Sequence, residues 1–261
     1  MKRRSFLLAE CTMPEVEEHL ARNPMVLVPV GATEQHGPHA PYGTDYMSAA
    51  EVCRRIAPRL DALVAPPLPF GVSGDHLGYP GFPFLSAETM AAVIRDLTTS
   101  LSAGGFRTII FVNGHYTNVI ALHAAVLDVG ASLPKGSAVF PFTYWDALPP
   151  DQLQAFLSME VGLHANIGET SVMLALDPSI VDMDKAVAEY PAAPVDLAPG
   201  LVSSYFFSGN GTLPRASKTG VWGDPTGSTA ELGEQYLQQI EDACVAFVGN
   251  ALSLFDAFPQ S

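Results

Sequence analysis

The chain has 261 residues, of which 48% are hydrophobic and 15% are charged, a composition typical of a folded globular protein and not of a disordered one. Its formal net charge of −14 disfavours nucleic acids and anionic membranes as partners, because contacts with phosphate need clustered Lys and Arg. The three cysteines are scattered and form no CxxC pair, which predicts a cytoplasmic protein without disulfides or thiolate-bound zinc. The sequence shows no signal-peptide pattern. It also contains no apolar run of about 20 residues, so we expect no membrane span.

Apolar runs and turn residues predict alternating strands and helices in the first half of the chain. Residues 25–31 (MVLVPVG) form a short apolar run that ends in glycine, which is typical of a buried parallel strand. Residues 44–60 predict a helix with Thr44 as its N-cap, followed by an extended segment at 62–71. Residues 86–105 predict an amphipathic helix that ends at a pair of glycines.

The second half of the chain continues this alternation, with predicted strands at 107–114 (RTIIFVNG) and 137–145 and predicted helices at 118–133, 168–178 and 228–255. Such alternation predicts an α/β fold with three layers, in which a mostly parallel β-sheet is flanked by helices on both faces. The sequence has no internal repeat and no low-complexity linker, so we expect residues 1–261 to form a single domain.

Three polar segments follow predicted strands or lead into a predicted helix. Residues 31–45 (GATEQHGPHAPYGTD) follow the first strand, residues 113–118 (NGHYTN) end the strand at 107–114, and residues 164–171 (HANIGETS) open a helix. Ligands of open α/β sheets bind at the carboxyl ends of the strands, so these segments can share one site. They contain the carboxylates and imidazoles that a divalent metal ion needs: Glu34, His36, Asp45, His115 and Glu169.

Each of these five residues also has a purely structural interpretation. Asp45 and Glu169 fit acidic residues in the first turn of a helix, where they complement the helix dipole. His115 fits a turn histidine that is bonded to the backbone, and Glu34 and His36 fit solvated loop residues. Three such clusters in a chain with only 15% charged residues favour a shared metal site over five separate explanations.

The same segments resemble a known family. PVGATEQHGPHAPYGTD (29–45), VNGHYTN (112–118) and GETSVMLAL (168–176) are similar to the three signatures of the creatininase family of metal-dependent amidohydrolases. TGVWGDPTGSTAELG (219–233) resembles the family's C-terminal segment, so the resemblance runs from about residue 5 to residue 250. It implies two divalent metal ions (Zn, Mn or Fe) per chain.

The resemblance also implies a role for each ligand. Glu34 and His115 would hold one ion, His36 would hold the other, and Asp45 would bridge both. Creatinine hydrolases carry a further glutamate ligand two residues after the histidine of the second motif, where this chain has Thr117. The resemblance to members that lack this glutamate implies that Glu169 takes its place.

Further residues match catalytic and substrate-binding positions of the family. His164 matches a histidine that handles protons during ring opening, and Trp145 matches a tryptophan of the substrate pocket. A second pocket tryptophan is replaced by Glu160, which argues against creatinine itself as the substrate. His76 matches a histidine that either touches the substrate or anchors its loop, and Thr117 is a further candidate for substrate binding.

The remaining polar residues and motifs give weaker evidence about function. We expect His39 to be a supporting or loop residue and not a metal ligand. The chain has neither the G-x-S-x-G elbow of a serine hydrolase nor a glycine-rich phosphate loop.

The resemblance implies an enzyme in which a metal-activated water attacks a C–N bond of a small cyclic or linear amide, with His164 as the general acid. One alternative is a deformylase or a ring-opening hydrolase of a cyclic keto-sugar that uses the same metal site. Another is a degenerate, non-enzymatic family member that only binds a ligand. The expected partners are a small-molecule substrate and further copies of the chain, because the resemblance implies a hexamer in which residues 202–207 (VSSYFF) are covered by a neighbour.

Overall fold

A four-stranded parallel sheet forms the centre of the protein, in a computed structural model that describes residues 5–130, 132–192 and 199–258. Its strands are β1 (Met25–Val30), β2 (Leu63–Val64), β3 (Thr108–Asn113) and β4 (Ala138–Thr143), in the order β2-β1-β3-β4. Val30 pairs with Asn113 and Asn113 with Thr143, so three strands end at the same level. The loops that follow these strands therefore start side by side.

The helices within the described ranges are α1 (Met13–Arg22), α2 (Thr44–Leu60), α3 (Ala87–Ala103), α4 (Val119–Gly130), α5 (Pro150–Phe156), α6 (Ile167–Leu176), α7 (Pro199–Phe206), α8 (Leu213–Ala216) and α9 (Ala230–Ala257). A separate antiparallel pair is formed by β5 (Gly162–His164) and β6 (Trp222–Gly223). Across the part of the chain that the structure describes, no helix combines the length and apolar character that crossing a bilayer would require.

Alternate residues of the central strands point into two separate cores. Met25 and Leu27 of β1 belong to the core beneath α2 and α9, whereas Val26 and Val28 belong to the core beneath α3 and α4. Every residue of β1 is buried, as a strand covered on both faces requires. The predicted three-layer α/β architecture, with helices on both faces of a parallel sheet, is confirmed.

The predicted elements agree with the structure except at some ends. Thr44 is the first residue of α2, and Gly43 occupies the N-cap position, so the predicted cap was wrong. The Thr44 hydroxyl instead donates to the Pro41 carbonyl at 2.8 Å. Within the predicted extended segment only β2 is a strand, although Leu68 also forms a parallel bridge with Val30 of β1. Helix α4 ends at Gly130, beside residue 131 outside the described ranges. The sequence did not predict α1, α5, α7, α8 or the β5–β6 pair.

Candidate metal centre

The carboxyl ends of β1 and β3 lie directly against the first turn of α2. A Cβ atom at Gly31 would be 2.3 Å from the Tyr46 nitrogen, and one at Gly114 would be 2.5 Å from the Asp45 carbonyl oxygen. Any side chain larger than that of glycine would overlap the helix at these distances, so both positions require glycine. This close approach brings Asp45 to the loops that follow both strands.

Two asparagines fold the loop after β3 onto the loop after β1. Asn113 Nδ2 donates to the His115 carbonyl at 2.7 Å, and Asn118 Nδ2 donates to the Gly31 carbonyl at 3.0 Å. Asn118 Nδ2 also lies 3.1 Å from Asn113 Oδ1. These bonds place the His115 imidazole beside Asp45. Neither asparagine is among the site residues predicted from the sequence, although both stand inside the NGHYTN motif.

Glu34, Asp45 and His115 form the first group of potential metal ligands, with ligand atoms that all lie within 4.8 Å of one another. His115 Nδ1 is 3.1 Å from Asp45 Oδ2, and His115 Nε2 is 3.4 Å from Glu34 Oε2. His115 Nε2 also lies 2.9 Å from the Val72 carbonyl, which only a protonated nitrogen can bond. The neutral form of His115 therefore carries its proton on Nε2 and directs the Nδ1 lone pair at Asp45.

His36, Asp45 and Glu169 form a second group of the same kind, and Asp45 belongs to both. His36 Nε2 is 3.1 Å from Asp45 Oδ1. His36 Nδ1 lies 3.2 Å from the Glu34 carbonyl, so the neutral form of His36 carries its proton on Nδ1 and offers the lone pair of Nε2. The two carboxylate oxygens of Asp45 thus face different histidines, one in each group.

When His36 and His115 are neutral, several atoms of these groups are buried without a hydrogen bond, namely Glu34 Oε2, His36 Nε2 and Asp45 Oδ2. The three side chains are at most 4% exposed, so water reaches them poorly. Buried polar atoms are rarely left unpaired, and a bound cation satisfies such atoms directly. Carboxylate oxygens and imidazole nitrogens are ligands that suit Zn, Mn and Fe. The residues present therefore fit a divalent metal.

In the metal-free protein, protons balance the buried carboxylates. Burial raises the pKa of Glu34 to about 8. Burial disfavours the charged forms of His36 and His115. The negative charge of Asp45 outweighs burial at His36 and raises its pKa to about 9. The charges of Glu34 and Asp45 outweigh burial at His115 and raise its pKa to about 10. Burial also opposes the charge of Asp45, yet His36 and His115 hold its pKa well below the usual range. A cation that displaces these protons would find its ligands already in place.

His164 lies against the same cluster. Its Nε2 donates to the Gln35 carbonyl at 2.8 Å, and its Nδ1 is 4.0 Å from Glu34 Oε1. Burial holds the pKa of His164 well below its ordinary value, and the positive charge on His36 acts in the same direction. His164 is therefore neutral near pH 7, with a free lone pair on Nδ1. Together with Glu34 and His36 it forms a third group of potential ligands.

His76 also joins the cluster. It contacts Glu34 and two residues that were not predicted from the sequence, Gln35 and Asp75. His76 Nε2 is 3.2 Å from Glu34 Oε1 and 3.6 Å from Asp75 Oδ2. Gln35 Nε2 lies 3.3 Å from His76 Nδ1 and donates to the Gly220 carbonyl at 3.2 Å. Asp75 is buried, which raises its pKa to about 6. The only signal for Gln35 and Asp75 was their position next to predicted site residues.

The other predicted residues occupy different places around the site. Trp145 is buried in the cavity wall. Thr117 lines the cavity as well, and its hydroxyl contacts the Val72 carbonyl and lies 2.6 Å from His115 Nε2. His39 Nε2 pairs with the Thr170 hydroxyl at 2.9 Å, away from the candidate ligand groups found among the described residues. Glu160 is exposed outside the cavity lining.

Ala165 adopts an unusual backbone conformation between two site residues. Its φ of +51° lies in the left-handed region, which residues with a Cβ atom seldom occupy. The Ala165 N–H donates to Glu169 Oε2 at 2.6 Å. The turn between His164 and Glu169 is thus strained where the two side chains must converge.

The chain is similar to characterised proteins with several activities. The Creatininase family model, described as creatinine amidohydrolase, matches residues 9–248. The mycofactocin precursor peptide peptidase of Mycolicibacterium smegmatis is 35% identical over 227 residues, which cover 85% of this chain and 83% of that protein. The 3-dehydro-scyllo-inosose hydrolase of Thermotoga maritima is 27% identical over 269 residues, 94% of this chain and 83% of that protein.

A solved structure described as "Creatininase Mn" superposes on the chain with a TM-score of 0.77 and 28% sequence identity. The match covers 98% of this chain and 100% of the other. The likeness therefore extends over the whole sheet and its helices, and it includes the elements that carry the candidate metal centre.

Proposed function

We propose, from the premise that this chain belongs to the creatininase family, that it is a hydrolase of small amides with two divalent metal ions. Within the single predicted domain, Glu34 and His115 would hold one ion, His36 and Glu169 the other, and Asp45 both. One observation carries this assignment. The two oxygens of Asp45 face His36 and His115 at 3.1 Å each, in two separate groups of potential ligands.

When bound, the ions would supply a water of lowered pKa and a Lewis acid for the substrate carbonyl. The residues around the site would handle the protons. His164 is neutral, and its Nε2 proton is held by the Gln35 carbonyl, so Nδ1 is the nitrogen that accepts. His164 would take a proton from the attacking water and return it to the leaving nitrogen, which makes it base first and acid second.

Three further residues would act on the substrate. Trp145 presents a buried aromatic surface in the cavity wall, against which an amide can lie. His76 would offer a polar contact from beside Glu34. Thr117 both lines the cavity and supports His115, so its removal would disturb substrate binding and the metal centre together.

A second candidate function keeps the site and changes the bond. The relative from Thermotoga maritima is a 3-dehydro-scyllo-inosose hydrolase, which favours ring opening of a cyclic keto-sugar as the alternative. Deformylation remains a further variant of amide hydrolysis. A purely ligand-binding role is less well supported: the buried ligand atoms favour a bound metal in either case, but the relatives are described as a peptidase and a hydrolase.

The experiment is a metal analysis followed by a substrate screen. The full chain is purified without chelators, its metal content is measured, and it is assayed with Mn²⁺ or Zn²⁺ on cyclic amides, linear amides, formamides and cyclic ketoses. We expect about two ions per chain and hydrolysis of amides that Asp45→Asn removes. Ring opening of ketoses alone would favour the second function, and metal binding with no turnover of any compound would reduce the protein to a binder.

A homo-oligomer, with the hexamer as the predicted state, and a cytoplasmic location also belong to the proposal. The location rests on cysteine usage. Within residues 202–207, Val202 and Phe206 already line the cavity of their own chain, so Phe207 is the exposed aromatic left for a neighbour. Light scattering that reports a species of 27.7 kDa at micromolar concentration would reject the oligomer.

A further inference from the structure

One wall of the cavity beside the candidate metal centre is apolar. The cavity has a volume of about 490 Å³, and its polar side comes from the first turn of α2, which carries Asp45, and from the loop that carries His115. Its apolar side comes from α5, from the segment that joins α5 to β5, from β5 itself and from α7. The side chains that form this apolar wall are Leu153, Leu157, Met159, Leu163, Val202 and Phe206.

Part of the apolar wall belongs to a packed cluster. Met159, Leu163 and Phe206 pack against Val202 and Leu213, which are 5% and 1% exposed. The wall therefore does not depend on long, free side chains that could fold away from the cavity. A ligand that reaches it meets a preformed apolar surface.

The helix α7 is tied to the metal-site loops by Tyr116. The Tyr116 hydroxyl bonds to the Ser203 hydroxyl, and its ring lies against Phe206 and Phe207 with centroid distances of 6.5 and 5.4 Å. Tyr116 directly follows His115 in the NGHYTN motif, so one loop connects the metal centre to the apolar wall. The two sides of the cavity thus have a defined position relative to each other.

The cavity is larger than a small ring amide needs. A non-hydrogen atom of an organic ligand takes no more room than a water molecule, which is about 30 Å³. An amide with about eight such atoms would then fill about half of the cavity at most. The remaining volume lies against apolar side chains, where a polar ligand group or a water molecule would lack hydrogen-bond partners.

The charges around the cavity exclude an anionic ligand group. None of the described residues that line it is Lys or Arg. The carboxyl groups of Asp75 and Asp146 line it in addition to those of the candidate ligands. A carboxylate or phosphate placed away from the metal centre would find no cation and would be repelled by these groups.

We propose that the substrate carries an uncharged apolar substituent, of about the size of a leucine or phenylalanine side chain, next to the hydrolysed amide. The apolar wall binds this substituent while the amide lies at the metal centre. The inference rests on the proposed function only for the position of the amide. The affinity of the wall for the substituent is a separate property that can be measured without turnover.

The test measures binding of three related compounds to the full chain by calorimetry, with Mn²⁺ and after chelation. Acetamide has the amide alone, N-benzylacetamide adds a phenyl ring, and the para-carboxylate of N-benzylacetamide adds an anionic group. Burial of one ring increases affinity by about 10- to 100-fold, so we expect N-benzylacetamide to bind that much more tightly than acetamide. The carboxylate should lose most of this gain.

Two substitutions on α7 form a matched pair. Val202→Trp fills the cavity from its apolar wall and should reduce the affinity for N-benzylacetamide to that for acetamide. Leu201→Trp adds the same bulk at a neighbouring position that is 48% exposed and outside the cavity lining, and it should change affinity less than twofold. If Val202→Trp does not fold, Phe206→Ala serves instead. Removing the ring from the apolar wall should lower the affinity for N-benzylacetamide several-fold and leave the affinity for acetamide unchanged.

The outcomes separate this inference from the proposed function. Equal affinity for acetamide and N-benzylacetamide, or equal effects of the two tryptophan variants, would overturn the apolar site. Tight binding of the para-carboxylate would overturn the requirement for an uncharged group. Tight binding of N-benzylacetamide without hydrolysis of any amide would overturn the proposed function and leave the apolar site standing.

Discussion

The two ends of α2 differ in how their charged side chains are exposed to solvent. At its N-terminal end, Asp45 is 4% exposed and faces His36 and His115, yet one of its oxygens has no hydrogen bond. At its C-terminal end, Arg55 makes two bonds to Glu234 of α9 at 2.7 and 2.6 Å, near the surface. One helix therefore holds a buried charge among the candidate ligands and a paired charge nearer the surface.

This difference indicates which end serves function. Surface ion pairs contribute little to stability, because water screens them and long side chains lose freedom when they pair. A buried charge without full compensation lowers stability, and proteins retain it where it binds or catalyses. The charges at the surface end should be replaceable with small effects, whereas those at the buried end should not.

The largest effect is expected from Asp45→Ala. Asp45 is the only residue shared by the groups that contain His115 and Glu169, so its loss should remove at least one ion and abolish turnover. Elemental analysis and the rate of amide hydrolysis measure both. The matched control is Asp242→Ala. It removes an exposed carboxylate of α9 that pairs with Arg59, a residue of the same helix as Asp45. Two ions per chain in Asp45→Ala would show that Asp45 is not the bridge.

A second large effect is expected from His164→Asn. Loss of a positioned acid or base lowers turnover by about two to four orders of magnitude. The loss should shrink for an activated ester, whose leaving group needs no proton, and both ions should remain. Equal losses on an amide and a matched ester would exclude His164 as the acid that protonates the leaving nitrogen and would leave it only the role of base toward the attacking water. Loss of an ion would instead make His164 a ligand, in the group with Glu34 and His36.

Metal affinity should rise steeply with pH. In the metal-free protein the pKa values of His36 and His115 are raised to about 9 and 10, and metal binding must displace these protons. We expect affinity for Mn²⁺ to increase about 100-fold or more between pH 7 and pH 9. Calorimetry in buffers of different ionisation enthalpy counts the released protons. A flat profile would mean that the histidines are already neutral.

The same pKa values determine how the stability of the metal-free protein depends on pH. The folded pKa values lie above the unfolded value of about 6.5, so protonation stabilises the folded state. This contribution is fully present below about pH 6.5 and is lost as pH rises through 9 and 10. The melting temperature of the metal-free protein should fall over that range, and that of the metal-loaded protein should fall less.

A smaller difference is expected between Glu169, a proposed ligand, and Thr117, which only lies beside the ligand His115. Glu169→Gln should weaken metal binding by about 10- to 100-fold or more, because it removes a charged ligand from the group with His36. Thr117→Ala should cost less than tenfold, since it removes only the hydroxyl beside His115 Nε2. Metal affinities by competition with a chelator measure both. Equal losses would show that the second ion is not held by Glu169.

The smallest effect is expected at the surface end of α2. Glu234→Gln removes the charge that pairs with Arg55 and should lower the free energy of unfolding by no more than about 1 kcal/mol. Metal content and turnover should not change. Urea denaturation with an activity assay tests this, and a loss of metal in the variant would contradict the functional separation of the two ends.

The central strands could be predicted because burial on both faces leaves a direct trace in the sequence. The apolar runs at 25–31 and 107–114 differ from β1 and β3 by no more than one residue at either end. Short helices left no such trace. Helix α7 is positioned by tertiary contacts, such as that between Tyr116 and Phe206, which no local pattern contains. Thr44 was assigned as a cap because its residue type favours caps, but the helix begins with it.

Membership of one polar cluster was also predictable. Strand–helix alternation implies that loops after parallel strands meet at one edge, and the structure brings Glu34, His36, Asp45, His115 and Glu169 together there. The individual roles came from the resemblance to a family. The parts played by Asn113 and Asn118 were not predictable, because asparagines in a loop also fit ordinary turns.

The sequence by itself determined the fold class, the family and the residue types of the site, because apolar runs, turn glycines and motif order are local properties. Only the tertiary structure decided how those groups behave. Burial beside His36 holds the pKa of His164 far below the ordinary value that its residue type implies. The space between α5 and α7 likewise determines the shape of the cavity. Charge and volume depend on which distant residues surround a group, and only the folded chain brings those residues together.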